Sequence, residues 1–304
     1  MRKELSAALQ KLATTNPSFV FLTGDLGFMA FEELEEVLGE KFLNMGISEQ
    51  NMVSVAASMA YDGHLPFVYS IAPFVICRPF EQIRNELGMH NMPVKLLGNG
   101  GGYGYGIMGS THHCLEDVAL MRAVQNMQVL TPTYNEDVTE AVEWMVTDKR
   151  PNYLRLNNSI KRPENISPFG PWRQLTKGTK GVVIGMGPVV LNAITINEAL
   201  KLDLSIWALG QIPVVDLPQE LINDINNSQK VLTIEEHFKA GGIGELLSLE
   251  CFSNNRITKD RLKVKSLHAL GYPSGLYGDQ KWHQEENNLT GDALKNEMIN
   301  FFNS

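Results

Sequence analysis

The sequence predicts an α/β protein with two domains, and three observations support this prediction. Short apolar runs that suit buried strands alternate with helical segments along the chain. Such alternation is typical of a parallel sheet that is covered by helices on both faces. The pattern stops once, at residues 157–181, where three prolines indicate a connection, and then restarts. We therefore expect a first domain at residues 1–160, a linker at 161–180 and a smaller second domain at 181–304.

The first predicted domain contains six strands separated by helices. The strands are expected at residues 19–23, 41–44, 66–71, 94–97, 128–131 and 152–156, and the helices at 1–14, 31–38, 50–60, 79–89, 115–124 and 135–147. Residues 52–60 are almost all small or apolar, so their helix is expected to be buried. A loop at residues 98–109 carries seven glycines, and its backbone can therefore approach a ligand closely.

The second predicted domain repeats the alternation on a smaller scale. Its strands are expected at residues 181–186, 203–209, 230–235 and 264–268. Its helices are expected from residue 188 and at residues 216–226, 243–252 and 290–302. This half therefore also reads as an α/β domain.

The composition argues against several classes of protein. A net charge of -8 does not provide the basic face that nucleic acids or acidic membranes require. No apolar run is long enough to span a bilayer, and the amphipathic pattern of residues 1–12 differs from that of a signal peptide. Three cysteines at scattered positions indicate free thiols in a reducing compartment, so a cytoplasmic protein is expected.

Two local motifs are weak in their context. Residues 104–109 match G-x-G-x-x-G, but further glycines precede them and no acid ends the following strand, so nicotinamide binding is not expected. His112, His113 and Cys114 are adjacent, and neighbours in one turn rarely converge on one ion. We expect no metal site in this chain. No local feature supports Cys77 or Cys114 as the nucleophile of a Cys-His hydrolase.

Four residues with functional side chains directly follow predicted strands: Asp25, Glu49, Phe74 and His112. Loops after parallel strands meet at the carboxyl edge of the sheet, where α/β domains bind ligands. We therefore expect these four side chains to form one site. Taken alone, Glu49 could simply complement a helix dipole, because it precedes the buried helix.

The sequence resembles the C-terminal two-thirds of a transketolase over essentially the whole chain, and four blocks carry the match. They are MRKELS with GDL at residues 1–6 and 24–26, GISEQNMV at 46–53, RPFEQIR at 78–84 and THHCLEDVALMR at 111–122. The resemblance implies a pyrimidine-binding domain of the thiamine diphosphate fold, followed by a transketolase C-terminal domain. The activity that it implies is transfer of a two-carbon ketol unit from a ketose to an aldose.

The resemblance assigns cofactor contacts to individual residues. Glu49 matches the family's cofactor glutamate, which hydrogen-bonds the aminopyrimidine of thiamine diphosphate and relays a proton. The family also stacks an aromatic ring on that pyrimidine. An ungapped match places Val75 at this position, and Phe74 lies one residue earlier, so both are candidates. Asp25 is expected beside the cofactor.

The resemblance also implies a changed substrate site. Arg2 matches a phosphate-binding arginine, and His112 matches a histidine near the reacting carbon, which makes it a catalytic and a substrate-binding candidate. The family's other substrate contacts in this region are replaced by four residues: Met29, Gly100, Met108 and Asn158. Arg155 is expected to replace in part the arginine that is missing at Asn158. The substrates are therefore expected to be sugars or sugar phosphates other than the common pentose phosphate pair.

A partner chain is expected because one half of the cofactor site is missing. The diphosphate and its Mg²⁺ require a Gly-Asp-Gly motif and a distant Asn, which the sequence lacks. A separate N-terminal transketolase subunit would then hold the diphosphate with Mg²⁺ or Ca²⁺, in an α2β2 assembly. The alternatives are the β-subunit of a 2-oxoacid dehydrogenase, a 1-deoxyxylulose-phosphate-synthase-like enzyme and a non-catalytic partner. The block at residues 111–122 favours transketolase, and the presence of Glu49 argues against an inactive partner.

Overall fold

Twelve strands form two β-sheets in the computed structural model, which describes residues 1–27 and 30–303. In chain order they are β1 (Phe19–Thr23), β2 (Phe42–Asn44), β3 (Leu65–Ile71), β4 (Lys95–Asn99), β5 (Gln128–Leu130), β6 (Asn152–Arg155), β7 (Trp172–Thr176), β8 (Gly181–Met186), β9 (Leu204–Leu209), β10 (Gln211–Ile212), β11 (Lys230–Phe238) and β12 (Lys263–Ala269). Most central strands are buried along their whole length, as their apolar sequences predict.

Helices connect these strands. They are α1 (Arg2–Thr15), α2 (Glu32–Leu38), α3 (Glu49–Tyr61), α4 (Ala72–Ile76), α5 (Phe80–Gln82), α6 (Asp117–Arg122), α7 (Asp137–Thr147), α8 (Val190–Leu200), α9 (Gln219–Ser228), α10 (Ile243–Ser253), α11 (Gln280–Glu286) and α12 (Gly291–Asn303). α5 continues as a π-helix (Ile83–Met89), and two 3₁₀ turns occur at Gly39–Lys41 and Gly106–Met108. In the described part of the chain, no helix is long and apolar enough to cross a membrane.

The first sheet confirms the predicted parallel arrangement. Its described strands lie in the order β10-β5-β6-β4-β3-β1-β2, and every pair from β5 to β2 is parallel. The edge strand β10 is antiparallel to β5 and comes from the second half of the chain. A strand of two residues carries too little pattern to be predicted from sequence.

The second sheet has the order β12-β11-β8-β9-β7 and is also parallel except at one edge, where β7 runs antiparallel to β9. β7 lies inside residues 161–180, so the prediction that this whole segment is a linker is wrong. Burial alternates along β7, as expected of an edge strand, and five residues close to prolines give too short a pattern to recognise.

Helices pack on both faces of the first sheet. On one face, Leu5 and Leu9 of α1 belong to a buried cluster that also contains side chains of α7. On the other face, Met52, Val53 and Ala56 of α3 are buried against the sheet. Each large apolar side chain buried in this way contributes about 1.5–3 kcal/mol. The packing of α3 therefore fixes the position of its first residue, which lies at the carboxyl edge of the sheet.

Candidate active site

The carboxyl edge of the first sheet gathers the four residues that follow its strands. β2, β1, β3 and β4 are consecutive neighbours in the sheet, and the chain leaving them leads to Glu49, Asp25, Phe74 and His112. Because the strands are parallel, their carboxyl ends lie at the same edge. Side chains that are distant in the sequence are thereby brought to one side of the domain.

Glu49 is a buried carboxylate at the first residue of α3, with 3% of its surface exposed. Nη1 of Arg78 donates hydrogen bonds to both of its carboxylate oxygens at 3.0 Å. The hydroxyl of Ser70 lies 3.5 Å from Oε1. The helix N-terminus and the guanidinium both favour negative charge at this place. The result is a fixed carboxylate, shielded from most water, at the sheet edge.

The two candidates for the stacking position have different surroundings. Val75 is fully buried in the core, so its assignment to the cofactor is corrected. Phe74 is partly exposed, and Cζ of Arg78 lies 3.8 Å from the centroid of its ring. A guanidinium in this position is attracted to the negative face of the ring. Phe74 is therefore the aromatic side chain that faces the site beside Glu49.

His112 extends this group toward the glycine-rich loop. Its ring centroid lies 5.1 Å from that of Phe74 and 6.0 Å from that of Tyr105. The hydroxyl of Thr111 is 3.0 Å from Nδ1 of His112, and Asn99 donates a hydrogen bond of 2.8 Å to the Tyr105 hydroxyl. A partly exposed imidazole among such groups can take up or release a proton.

Glycines allow the loop to pack tightly on the sheet. Gly100 has a φ of 76°, which few residues other than glycine adopt. A Cβ atom at Gly100 would lie 2.2 Å from Cδ2 of Tyr105, and one at Gly102 would lie 2.3 Å from Oε2 of Glu236. The space that a side chain at position 100 would need is thus occupied by Tyr105, and this packing places Tyr105 beside His112.

Arg2 lies on the Tyr105 side of the site. It is exposed at the start of α1 and forms a hydrogen bond with the hydroxyl of Tyr69 in β3. Burial raises the pKa of Tyr69, and Arg2 opposes this shift. Burial also raises the pKa of Tyr105, and the hydrogen bond from Asn99 and the positive charge of Arg2 oppose this shift. Arg2 therefore supplies positive charge next to the site, which suits an anionic group.

Asp25 lies at the same edge, immediately after β1. Its side chain is exposed, and Nδ2 of Asn44 lies 3.4 Å from Oδ1. The two residues line a cavity of about 160 Å³, together with Phe31 and Phe42. The structure thus places Asp25 with the end of β2.

Arg155 is not part of this group, so its prediction as a substrate contact is wrong. Its side chain is buried beneath the glycine-rich loop, where Nε donates a hydrogen bond of 2.8 Å to Oδ2 of Asp117. Nη2 donates to the carbonyl oxygens of Cys114, at 3.2 Å, and Glu236, at 2.9 Å. Because Glu236 belongs to β11, Arg155 ties the second domain to the first.

The positions at which the family's substrate contacts are replaced have different environments. Met108 is 55% exposed. Asn158 is exposed and donates a hydrogen bond of 3.3 Å to Oε1 of Gln280 in α11. The space next to Gly100 is occupied by Tyr105, as described above. Met29 lies outside the described residues.

A comparison with known families identifies the fold that carries this edge. Residues 1–162 match the model described as the transketolase pyrimidine binding domain. The chain belongs to the transketolase family. The fold and the family predicted from the four sequence blocks are therefore confirmed. Transketolases in general use thiamine diphosphate.

Similar transketolase chains include proteins of comparable length. An apulose-4-phosphate transketolase subunit of Actinobacillus succinogenes is 29% identical over 268 residues, which cover 84% of this chain and 83% of that protein. The putative transketolase C-terminal section of Methanocaldococcus jannaschii is 29% identical over 274 residues, 87% and 85% of the two chains. The transketolase of Mus musculus is 31% identical over 90% of this chain, but the match spans 46% of that protein.

A solved structure supports the same relationship. The structure titled "Split gene transketolase, inactive beta4 tetramer" matches with a TM-score of 0.83 and 26% sequence identity, over 99% of this chain and 97% of that chain. Together with the relatives, it confirms that the chain corresponds to the C-terminal subunit of a transketolase-type enzyme.

Two residues of this transketolase site were not identified from the sequence. Arg78 lies within the block at residues 78–84, four residues after Phe74. A cation so close in the sequence to a candidate site residue is a signal that could have identified Arg78. Tyr105 lies among the glycines of the loop. Its position beside His112 depends on contacts across the loop and with Asn99, which the sequence pattern does not show.

The residues at this edge suit the pyrimidine half of thiamine diphosphate. The guanidinium of Arg78 is flat, bears N–H groups, bonds to the Glu49 carboxylate and lies over the Phe74 ring. An aminopyrimidine shares these properties, so the same two side chains can hold it. Among the residues that the structure describes, no group of three His, Cys, Asp or Glu side chains is arranged to hold a metal ion.

Proposed function

We propose that this chain works with a separate diphosphate-binding chain as a transketolase, which moves a two-carbon ketol unit from a ketose to an aldose. The observation that carries the proposal is the buried Glu49 carboxylate beside Phe74 and His112 at the sheet edge. Bound thiamine diphosphate supplies the carbon nucleophile and the electron sink for this reaction. Relatives named as one subunit of a transketolase and as a C-terminal section support a partner chain, which would hold the diphosphate with Mg²⁺ or Ca²⁺ in an α2β2 assembly.

Glu49 is the proposed proton carrier of the site. Its burial restricts exchange with solvent, and α3 holds its carboxyl group at a fixed place. To act on the pyrimidine, Glu49 must part from Arg78, whose side chain is 40% exposed and can therefore turn toward solvent. Once separated from this cation, the carboxyl group is available to hydrogen-bond the pyrimidine. Phe74 would orient the ring that Glu49 contacts.

His112 and Arg2 are the proposed substrate contacts. The imidazole of His112 lies next to Phe74, on the side of the glycine-rich loop, where it can exchange a proton with a sugar hydroxyl. Arg2 supplies a guanidinium near Tyr105, which can bind a phosphate group in two-point geometry. Asp25 is proposed to contact the cofactor from the end of β1.

The proposed substrates are sugars with a bulky or branched carbon chain. Met108 cannot accept a hydrogen bond from an acceptor hydroxyl, and it is exposed at the loop. A site without such a partner does not reward or orient that hydroxyl, and this can change specificity strongly. Two relatives are named apulose-4-phosphate transketolases, which makes that sugar phosphate a suitable donor to test against xylulose 5-phosphate.

The proposal is tested by mixing the chain with its diphosphate-binding partner. The single chain should bind thiamine diphosphate weakly and show no turnover, and the mixture should transfer a ketol unit without lipoamide. Full activity of the single chain would disprove the two-chain proposal. Consumption of pyruvate without ketol transfer would favour one of the alternative enzymes. A kcat/KM for the common pentose phosphates that equals that for branched donors would disprove the substrate proposal.

The role of Glu49 is tested with Glu49→Gln, which keeps the size of the side chain and removes its acidity. Activity of the assembled enzyme should fall by about 10²–10⁴-fold, as expected when a positioned acid–base group is lost. Exchange of the C2 proton of the bound cofactor should fall as well. Glu143→Gln is the matched control, because Glu143 is exposed on α7, where it pairs with Lys11. An unchanged exchange rate in Glu49→Gln would exclude the assigned role.

A further inference from the structure

Two cysteines lie in contact beside the candidate active site. Cys77 follows α4 and directly precedes Arg78, and its side chain is exposed. Cys114 is buried two residues after His112. The thiol of Cys77 lies beside the carboxylate of Glu116, two residues after Cys114, and the thiols of Cys77 and Cys114 interact with each other. These thiols therefore join the segment that carries Arg78 to the segment that carries His112.

The two thiols differ in reactivity. The hydrogen bond from Cys114 lowers the pKa of Cys77, although burial and the nearby carboxylates of Glu116 and Asp117 act against this shift. Burial raises the pKa of Cys114 well above its usual value. Sγ of Cys77 lies 4.0 Å from Oε1 of Glu116. An exposed thiol with a lowered pKa is the better nucleophile, and a neighbouring thiol can then resolve the product.

We propose that Cys77 and Cys114 form a reversible disulfide with each other, by exchange with a low-molecular-weight disulfide such as oxidised glutathione. The Cys77 thiolate attacks one sulfur of the oxidant, which breaks its S–S bond, forms a mixed disulfide and releases one thiolate. Cys114 then loses its proton, attacks Sγ of Cys77 and releases the second thiolate. Both cysteines are oxidised, one disulfide is reduced to two thiols, and the two cysteine protons pass to the released thiolates.

The disulfide would connect two parts of the site that are separate in the sequence. The backbone of Cys114 pairs with Gly102 in the glycine-rich loop through two hydrogen bonds, and its carbonyl accepts a bond from Arg155. The Cys114 side is therefore held firmly. Bond formation would draw the end of α4 toward it and restrict Arg78, which must move away from Glu49 in the proposed function. Oxidation should therefore inhibit the enzyme, and this consequence rests on that function.

The chemical step is tested on the purified full chain with oxidised glutathione. Intact mass should fall by two hydrogens, and peptide mapping should locate the new bond between Cys77 and Cys114. In Cys114→Ser the reaction should stop at the mixed disulfide between Cys77 and glutathione. Cys77→Ser should form neither this mixed disulfide nor a bond to Cys114. Cys251→Ser is the matched control, because Cys251 is buried elsewhere in α10, and it should behave like the wild type. A wild-type product that remains glutathionylated, or a bond that includes Cys251, would overturn the proposal.

The effect on the site is measured separately in the enzyme assembled with its partner. Oxidation should remove most of the activity of the wild type, dithiothreitol should restore it, and Cys77→Ser should keep its activity in both conditions. Equal activity of the reduced and cross-linked wild type would overturn the inhibitory role. If the reduced assembly has no ketol transfer at all, the proposed function fails, while the mass measurement still decides whether the disulfide forms. Circular dichroism of each variant verifies that it is folded.

Discussion

Replacing Arg155 with methionine tests whether this buried arginine serves the fold. The pair with Asp117 is almost completely shielded, with 3% and 0% of the two side chains exposed. Without the guanidinium, the Asp117 carboxylate would keep a hydrogen bond of 2.7 Å from the Tyr153 hydroxyl, and the carbonyl oxygens of Cys114 and Glu236 would lose a donor. Breaking a buried pair from one side costs about 3–5 kcal/mol, because the remaining charge is uncompensated. Arg155→Met should therefore lower the free energy of unfolding by that amount.

The assay is urea unfolding of the full chain, followed by circular dichroism. Lys11→Met provides the control, because Lys11 and Glu143 form a pair in which both side chains are more than half exposed, and such pairs contribute about 0–1 kcal/mol. The double variant Arg155→Met/Asp117→Leu should recover part of the loss, since it removes both buried charges. A loss of less than about 1 kcal/mol in Arg155→Met would refute the reasoning.

Two further predictions follow from the burial of single residues. Glu235 accepts hydrogen bonds from two backbone N–H groups at the start of α10, and burial raises its pKa from 4.5 to about 7. The folded protein therefore holds this proton more tightly than the unfolded chain, so the free energy of unfolding falls by roughly 3 kcal/mol as pH rises from about 4.5 to about 7. In Glu235→Gln, the difference between the urea midpoints at pH 5 and pH 8 should be smaller than in the wild type. An unchanged difference would contradict this prediction. Phe74→Ala should weaken binding of thiamine diphosphate to the assembled enzyme by about 1 kcal/mol with little loss of stability, whereas Val75→Ala should lower stability by about 1–2 kcal/mol and leave cofactor affinity unchanged. Calorimetry measures the cofactor affinity, and urea unfolding measures the stability. The reverse result would restore Val75 as the contact.

The strand pattern of the sequence was enough to predict the parallel sheet and the edge at which Glu49, Phe74 and His112 gather. This works because a residue that follows a parallel strand lies at the carboxyl edge whatever the details of packing. The strand pattern does not predict where the side chain of such a residue points. Arg155 also ends a strand of this sheet, but the buried Asp117 carboxylate draws it beneath the loop, and only tertiary contacts reveal that.

The remaining differences have similar physical causes. β7 and β10 are short edge strands, and their pairing depends on neighbours rather than on an internal pattern. The choice between Phe74 and Val75 depends on a rotation of about 100° around α4, since consecutive helical residues differ by that angle. An ungapped alignment cannot resolve such a rotation.

The strand β10 comes from the second half of the chain but pairs with a strand of the first sheet. Its residues Gln211 and Ile212 cover the outer edge of β5, and Oε1 of Gln128 accepts a hydrogen bond of 2.7 Å from the Gln211 amide. A fragment that ended near residue 162 would leave the buried residues of β5 as an open sheet edge. Such edges recruit strands from other molecules. The pyrimidine-binding domain is thus protected from aggregation by a piece of the neighbouring domain, and separating the two halves by proteolysis would remove that protection.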